Sequence, residues 1–167
     1  EITPYDADVL VNQGLPVVDY FRTVADTCGS GKTAANWIQQ DVLRTLNEQQ
    51  IAIDEFPITA DGLAELLGLI QNGDVPASRG RDVFEVMLSE GKSASAAMQQ
   101  LGIEKVDESE LIELCRRLVE SNPKVVEDVK RGQKKAAGAF IGQAKKQNPN
   151  VDPRRVQQIC LELIDQM

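Results

Sequence analysis

Two lysine pairs, Lys134-Lys135 and Lys145-Lys146, bracket Gly138 and Gly142 in the stretch Lys130-Arg131-Gly132-Gln133-Lys134-Lys135-Ala136-Ala137-Gly138-Ala139-Phe140-Ile141-Gly142-Gln143-Ala144-Lys145-Lys146. The chemistry open to such a set is phosphate neutralisation: ammonium groups displace the counterions condensed on a nucleic-acid backbone, and glycines offer bare main chain on which a sugar-phosphate strand can rest. On a continuous helix from Gln133 to Gln147, residues eleven apart return to within about 20° of one another, so Lys134 aligns with Lys145 and Lys135 with Lys146. Ala137, Phe140, Ile141 and Ala144 then form a separate apolar stripe, and lysines and glycines share the remaining face. The pairs stand roughly 16 Å apart along the axis. Lys130 and Arg131 extend the basic run, which makes Lys130, Arg131, Lys134, Lys135, Gly138, Gly142, Lys145 and Lys146 the candidate RNA-binding residues. The alternative is that the glycines admit a neighbouring helix and the lysines are its solvated rim. Each glycine inside a helix costs roughly 1 kcal/mol relative to Ala, so something should need the space.

Charge distribution points the same way. Residues 1–115 carry seven Lys and Arg against twenty Asp and Glu, a net of −13, whereas residues 116–167 carry eleven against six, a net of +5, within an overall −8. A basic half on an acidic chain suggests a polyanionic partner. With seven aromatics in the chain and Phe140 alone near the basic face, stacking on unpaired bases is poorly supported, and an RNA contact is expected to read shape and backbone.

Other constellations carry less. Gly29-Ser30-Gly31-Lys32-Thr33 resembles part of a phosphate-binding loop, but the required first glycine is Asp26, and no buried strand precedes it. It reads as a helix break. Histidine is absent, which removes the side chain most used for acid–base work near neutral pH and every His-dependent triad. The carboxylates lie at surface spacings, so no catalytic residue is expected. Cys28, Cys115 and Cys160 are odd in number and have no CxxC spacing, so three free thiols and no metal site are expected. No apolar run approaches the roughly 20 residues of a membrane helix. With 42% apolar residues, a folded, soluble chain is expected. The opening Glu1-Ile2-Thr3-Pro4, without Met or leader, suggests part of a longer protein.

The elements that must position the basic face are all helical; sustained alternation and hairpin signals are missing. Thr3-Pro4 starts one helix and Leu15-Pro16 a second that stops near Gly29. A third runs from about Lys32 to Asn47 and buries Trp37, Ile38, Val42 and Leu46. Residues 50–58 connect to a helix capped by Thr59; Ser78 caps the next, and residues 93–101 form another. Gly102 to Val106 is the expected boundary between a helical domain, residues 1–102, and a small helical-bundle tail domain, residues 103–167. Asp107 and Glu110 form a capping box there. Further tail helices start at Asn122-Pro123 and Asp152-Pro153, around a core of Leu111, Leu114, Leu118, Val125, Val126, Phe140, Ile141, Val156, Ile159 and Leu163.

The run Asn122-Pro123-Lys124 to Gly132, followed by Lys135-Ala136-Ala137-Gly138-Ala139-Phe140-Ile141-Gly142-Gln143, resembles the C-terminal tail of the B-type subunit of the glutamine-dependent aspartyl/glutamyl-tRNA amidotransferases. Residues 5–10, Ala35-Asn36-Trp37 and Val83-Phe84-Glu85-Val86-Met87 resemble the helical domain preceding that tail, so the likeness spans essentially the whole chain. Departures fall at Val129 and Ala139, where the family more commonly has an aromatic, and at Gln133, where it has Lys. The resemblance implies a non-catalytic appendage that holds the outer corner of misacylated tRNA in the cytoplasm of a bacterium or in an organellar matrix. It implies that ATP and magnesium are bound only by an upstream domain, so that this segment carries no cofactor. It also implies that the parent protein is a carbon–nitrogen ligase using glutamine as nitrogen donor, with an amidase subunit and a small third subunit as partners. A helical protein-interaction module, a stand-alone tail-type protein and an independent enzyme remain as alternatives.

Overall fold

A computed structural model describes residues 2–167; the expectation attached to the opening at Glu1 lies outside the described residues. The fold is all-α, with no strand among the described residues. No helix among them is long and apolar enough to cross a membrane. The chain divides into two compact units: the described residues up to Asp74 with Gly80–Gly102, and Val75–Arg79 with Ile103–Met167.

In the first unit, helix boundaries follow local capping chemistry. Thr3 and Asp6 form a reciprocal capping box at the start of α1 (Pro4–Val11). After α2 (Leu15–Cys28), Gly29 adopts φ +71°, a left-handed conformation that glycine takes without a Cβ penalty. Ser30 then accepts the Thr33 N–H and starts α3 (Gly31–Trp37). The phosphate-loop-like pentapeptide is thus a helix stop followed by a cap. The next turn, Ile38–Val42, widens to π geometry before α4 (Leu43–Gln49). α5 (Ala60–Gln71) is capped by Thr59 and packs on α2, and the half-buried Tyr20 hydroxyl donates to the Ile58 carbonyl at 3.0 Å. α6 (Gly80–Glu90) starts two residues beyond the expected Ser78 cap, because Arg79 N–H first closes a turn on the Pro76 carbonyl. Trp37, Phe84 and Phe56 lie in an aromatic cluster. α7 (Ala94–Gln100) is capped by Ser93 and completes the unit.

The second unit holds α8 (Glu108–Ser121), α9 (Pro123–Lys130), α10 (Gly138–Gln147) and α11 (Pro153–Asp165). α8 and α10 both pack on α11. Their shared core contains the expected Leu111, Leu114, Leu118, Val126, Phe140, Val156 and Ile159, with Val125, Ile141 and Leu163 half-buried at its edge. Cys115 and Cys160 are buried free thiols within it. A hydrogen bond between them holds Cys115 low and pushes Cys160 up.

Candidate functional site

The basic segment is built from two short helical pieces. α9 ends in a double closure: Gln133 N–H donates to the Asp128 carbonyl at 3.0 Å and Gly132 N–H to the Val129 carbonyl at 2.9 Å, the Schellman pattern. Gly132 sits at φ +92°, where a side chain costs roughly 1–2 kcal/mol. The chain then makes a single 3-10 turn, Lys134–Ala137, before α10 begins at Gly138.

That turn corrects the continuous helix expected from Gln133 to Gln147. Ala137 is fully buried, and the turn packs against α9 and α11. A 3-10 residue advances about 120° instead of about 100°, so four of them take the register roughly 80° away from the α-helical path. The alignment of Lys134 with Lys145 and of Lys135 with Lys146 is therefore not made. All eight candidate residues, Lys130, Arg131, Lys134, Lys135, Gly138, Gly142, Lys145 and Lys146, are nevertheless exposed.

Within α10 itself the expected face survives. At about 100° per residue, Lys145, Gly138, Gly142, Lys146 and Ala139 occupy an arc of roughly 120°, opposite the buried Phe140 and Ala144. A Cβ built on Gly138 or Gly142 meets nothing within 4 Å. No neighbouring helix among the described residues therefore requires these glycines. Gly142→Ala should raise stability by about 1 kcal/mol through helix propensity. An increased melting temperature with weakened RNA binding is the expected pair of results, and a destabilised variant would mean that the position is packed.

The ammonium groups of Lys130, Lys134, Lys135, Lys145 and Lys146 take part in no ion pair among the described residues, whereas Arg131 reaches Glu127 one turn back at 2.9 Å. That pair is exposed at both ends, where such contacts contribute about 0.3–0.5 kcal/mol and exchange readily for another anion. Lys145 and Lys146 also sit in the last turn of α10, where cations offset the helix dipole.

Two capping expectations are corrected, each to informative effect. Asn122 starts α9 without a side-chain cap bond. Its amide instead pairs reciprocally with Gln143, at 2.9 and 3.0 Å, and also donates to the Leu118 carbonyl. The first and last residues of the Asn-Pro-Lys to Gly-Gln run are thus bonded to each other, which fixes α9 beside α10. At α8, Asp107 accepts from the backbone N–H groups of Ser109 and Glu110, and its bonds to Ser109 hold its carboxyl below the usual range. The return half of the expected box is not formed, which leaves the Glu110 carboxylate elsewhere.

One buried charge escaped sequence reasoning. Asp41 is 2% exposed, accepting from Arg81 at 3.1 Å and lying 3.5 Å from Arg44. The π turn places it. Its only signal was an acidic residue inside the apolar stripe of Ile38, Val42 and Leu46.

The family model described as the GatB domain matches residues 19–164. A protein of Rhodopirellula baltica, named as the B-type subunit of an aspartyl/glutamyl-tRNA(Asn/Gln) amidotransferase, is 50% identical over 99% of this chain and 33% of its own length. Proteins of the same name from Chlorobium phaeobacteroides and Caldanaerobacter subterraneus are 35% and 36% identical, over 98% and 95% of this chain and 35% and 34% of theirs. The chain thus spans about a third of the length of the curated relatives it matches.

Proposed function

The chain belongs to the GatB domain family, and from that membership we propose that it is the tRNA-holding, non-catalytic C-terminal part of the B-type subunit of an aspartyl/glutamyl-tRNA amidotransferase. In this reading residues 1–102 are a helical spacer and residues 103–167 are the RNA-binding tail. The face of α10 rests on the tRNA backbone, with Lys145 and Lys146 at phosphates and Gly138 and Gly142 allowing close approach. Lys134, Lys135, Lys130 and Arg131 supply further positive charge around the turn that precedes it.

The observation that carries the reading is the combination on α10 of exposed lysines with glycines whose faces are open. Main chain left bare at a cost in helix propensity, beside unpaired cations, suits a polyanion that must come close. Such a site positions and does not react. Activation of the carboxyl group carried by the tRNA, with ATP and magnesium, and delivery of ammonia from an amidase subunit would be performed elsewhere in the cytoplasmic complex that also contains the small third subunit.

The test is tRNA affinity as a function of salt. Each phosphate contact contributes about 0.7–0.9 to the slope of log K against log salt, so the proposed face predicts a slope steeper than about −3. No salt-dependent tRNA binding, together with binding of a protein partner that ignores salt and is abolished by Gly138→Leu and Gly142→Leu, would instead identify a protein-docking face.

A further inference from the structure

At the C-terminal end of α10 lies a cleft of about 500 Å³ within the second unit, lined by Val106, by α8 and by the two residues that follow Lys146. We propose that this cleft takes one unpaired guanine base of the RNA held by α10; the proposal rests on the RNA-binding reading above and adds base selection to it.

The chemistry of the lining separates a base from a phosphate. Leu114 and Val106 provide an apolar floor, and Glu110 and Glu113 offer carboxylates, whereas Arg117 and the Gln147 amide offer donors. Two carboxylates repel a phosphate but accept well from exocyclic amino and ring N–H groups. Guanine presents both on its pairing edge, and its O6 and N7 accept from a guanidinium. Carboxylates and Arg117 together therefore match guanine more fully than the other bases. The volume falls within the roughly 300–1,000 Å³ range of small-ligand sites.

These groups are also free to act. Glu113 and Arg117 stand four apart on α8 in the order that favours an ion pair. Neither takes part in an ion pair among the described residues, whereas Arg131 pairs with Glu127 and Arg155 with Glu108. Glu110 is released because the return half of its capping box is not made. Gln147 and Asn148 follow Lys146 directly, and Gln147 lies about 100° further round α10 than Lys146, so a base enters the cleft where the strand leaves Lys146 and turns off the glycine face toward α8. Bases that can reach it belong to loops or bulges, because those of a duplex are held in the stack.

The experiment compares two RNA hairpins bound to the whole 167-residue chain, identical except that loop guanosines are replaced by inosines, which lack the exocyclic amino group. The guanosine loop should bind about tenfold more tightly. The double variant E110Q/E113Q, at exposed positions, should bind both hairpins equally. Lys145→Ala with Lys146→Ala should weaken both while preserving their ratio. Equal binding of the two hairpins by the unmodified chain, or a preference untouched by E110Q/E113Q, overturns the cleft and leaves the backbone reading standing. Failure of both hairpins to bind overturns the two together. A poly-lysine peptide that binds and is lost in E110Q/E113Q, with no guanosine preference, assigns the cleft to a basic protein segment instead.

Discussion

Replacing Phe140 by Ala should unfold the second unit or leave it loosely packed. Phe140 is 0% exposed in the first turn of α10 and lies in the same core as Leu114, Leu118, Val156 and Ile159. Removing a buried phenyl ring costs about 3–5 kcal/mol, the lost transfer energy plus the cavity left behind. Small domains have only about 5–15 kcal/mol in total, and a unit of this size lies toward the low end because it buries a smaller fraction of its surface. Cys115 and Cys160 report the event directly, since both thiols are buried in that core. Alkylation under native conditions should be slow in the parent chain and fast in Phe140→Ala, while Phe140→Leu, which keeps more of the volume, should stay close to the parent. Thiols that remain protected in the Ala variant would show that α10 is not central to the unit.

The second large effect is electrostatic. Replacing Lys134, Lys135, Lys145 and Lys146 together by Ala should flatten the salt dependence of tRNA binding by roughly three units of slope. At 0.1 M salt the same counterion release corresponds to a loss of roughly a thousandfold in affinity. The four side chains are exposed and form no ion pair among the described residues, so the fold should be untouched. The corresponding Lys→Arg variant, which keeps the charge, should retain the slope. The structure adds a finer expectation. Lys145 and Lys146 share the open glycine face, whereas Lys134 and Lys135 sit on the 3-10 turn, so the downstream pair should depend on Gly142 and the upstream pair should not. Unchanged affinity and slope in the quadruple variant would sink the assignment of this surface.

Much of the fold was legible because its signals are local. Thr3, Ser30, Thr59, Ser93, Asp107 and Asp152 each accept a backbone N–H within the first turn of their helix, a geometry that needs only the side chain and the next three residues. The tail core was legible for a related reason, since apolar spacing on α8 and α11 fixes which side faces inward. Legibility failed where a residue had a choice of partners. Asn122 is an excellent cap by type, yet Gln143, twenty-one positions later, takes its amide. Ser78 is also a good cap by type, but the turn closed on Pro76 moved the helix start past it.

Helical character, the gathering of positive charge in the last third of the chain and the company of lysines and glycines there can all be read from residue order. Composition, caps and helix-stopping glycines act within one turn and do not depend on the rest of the chain. How those residues face depends on packing between helices. Burial of Ala137 against α9 and α11 turns Lys134–Ala137 into a 3-10 segment, and a helical register cannot be carried across such a turn because the rotation per residue changes. The basic surface is therefore not one ruled helix. It is an open glycine-lysine face on α10, with a second lysine pair set at another angle and a mixed-charge cleft at its far end.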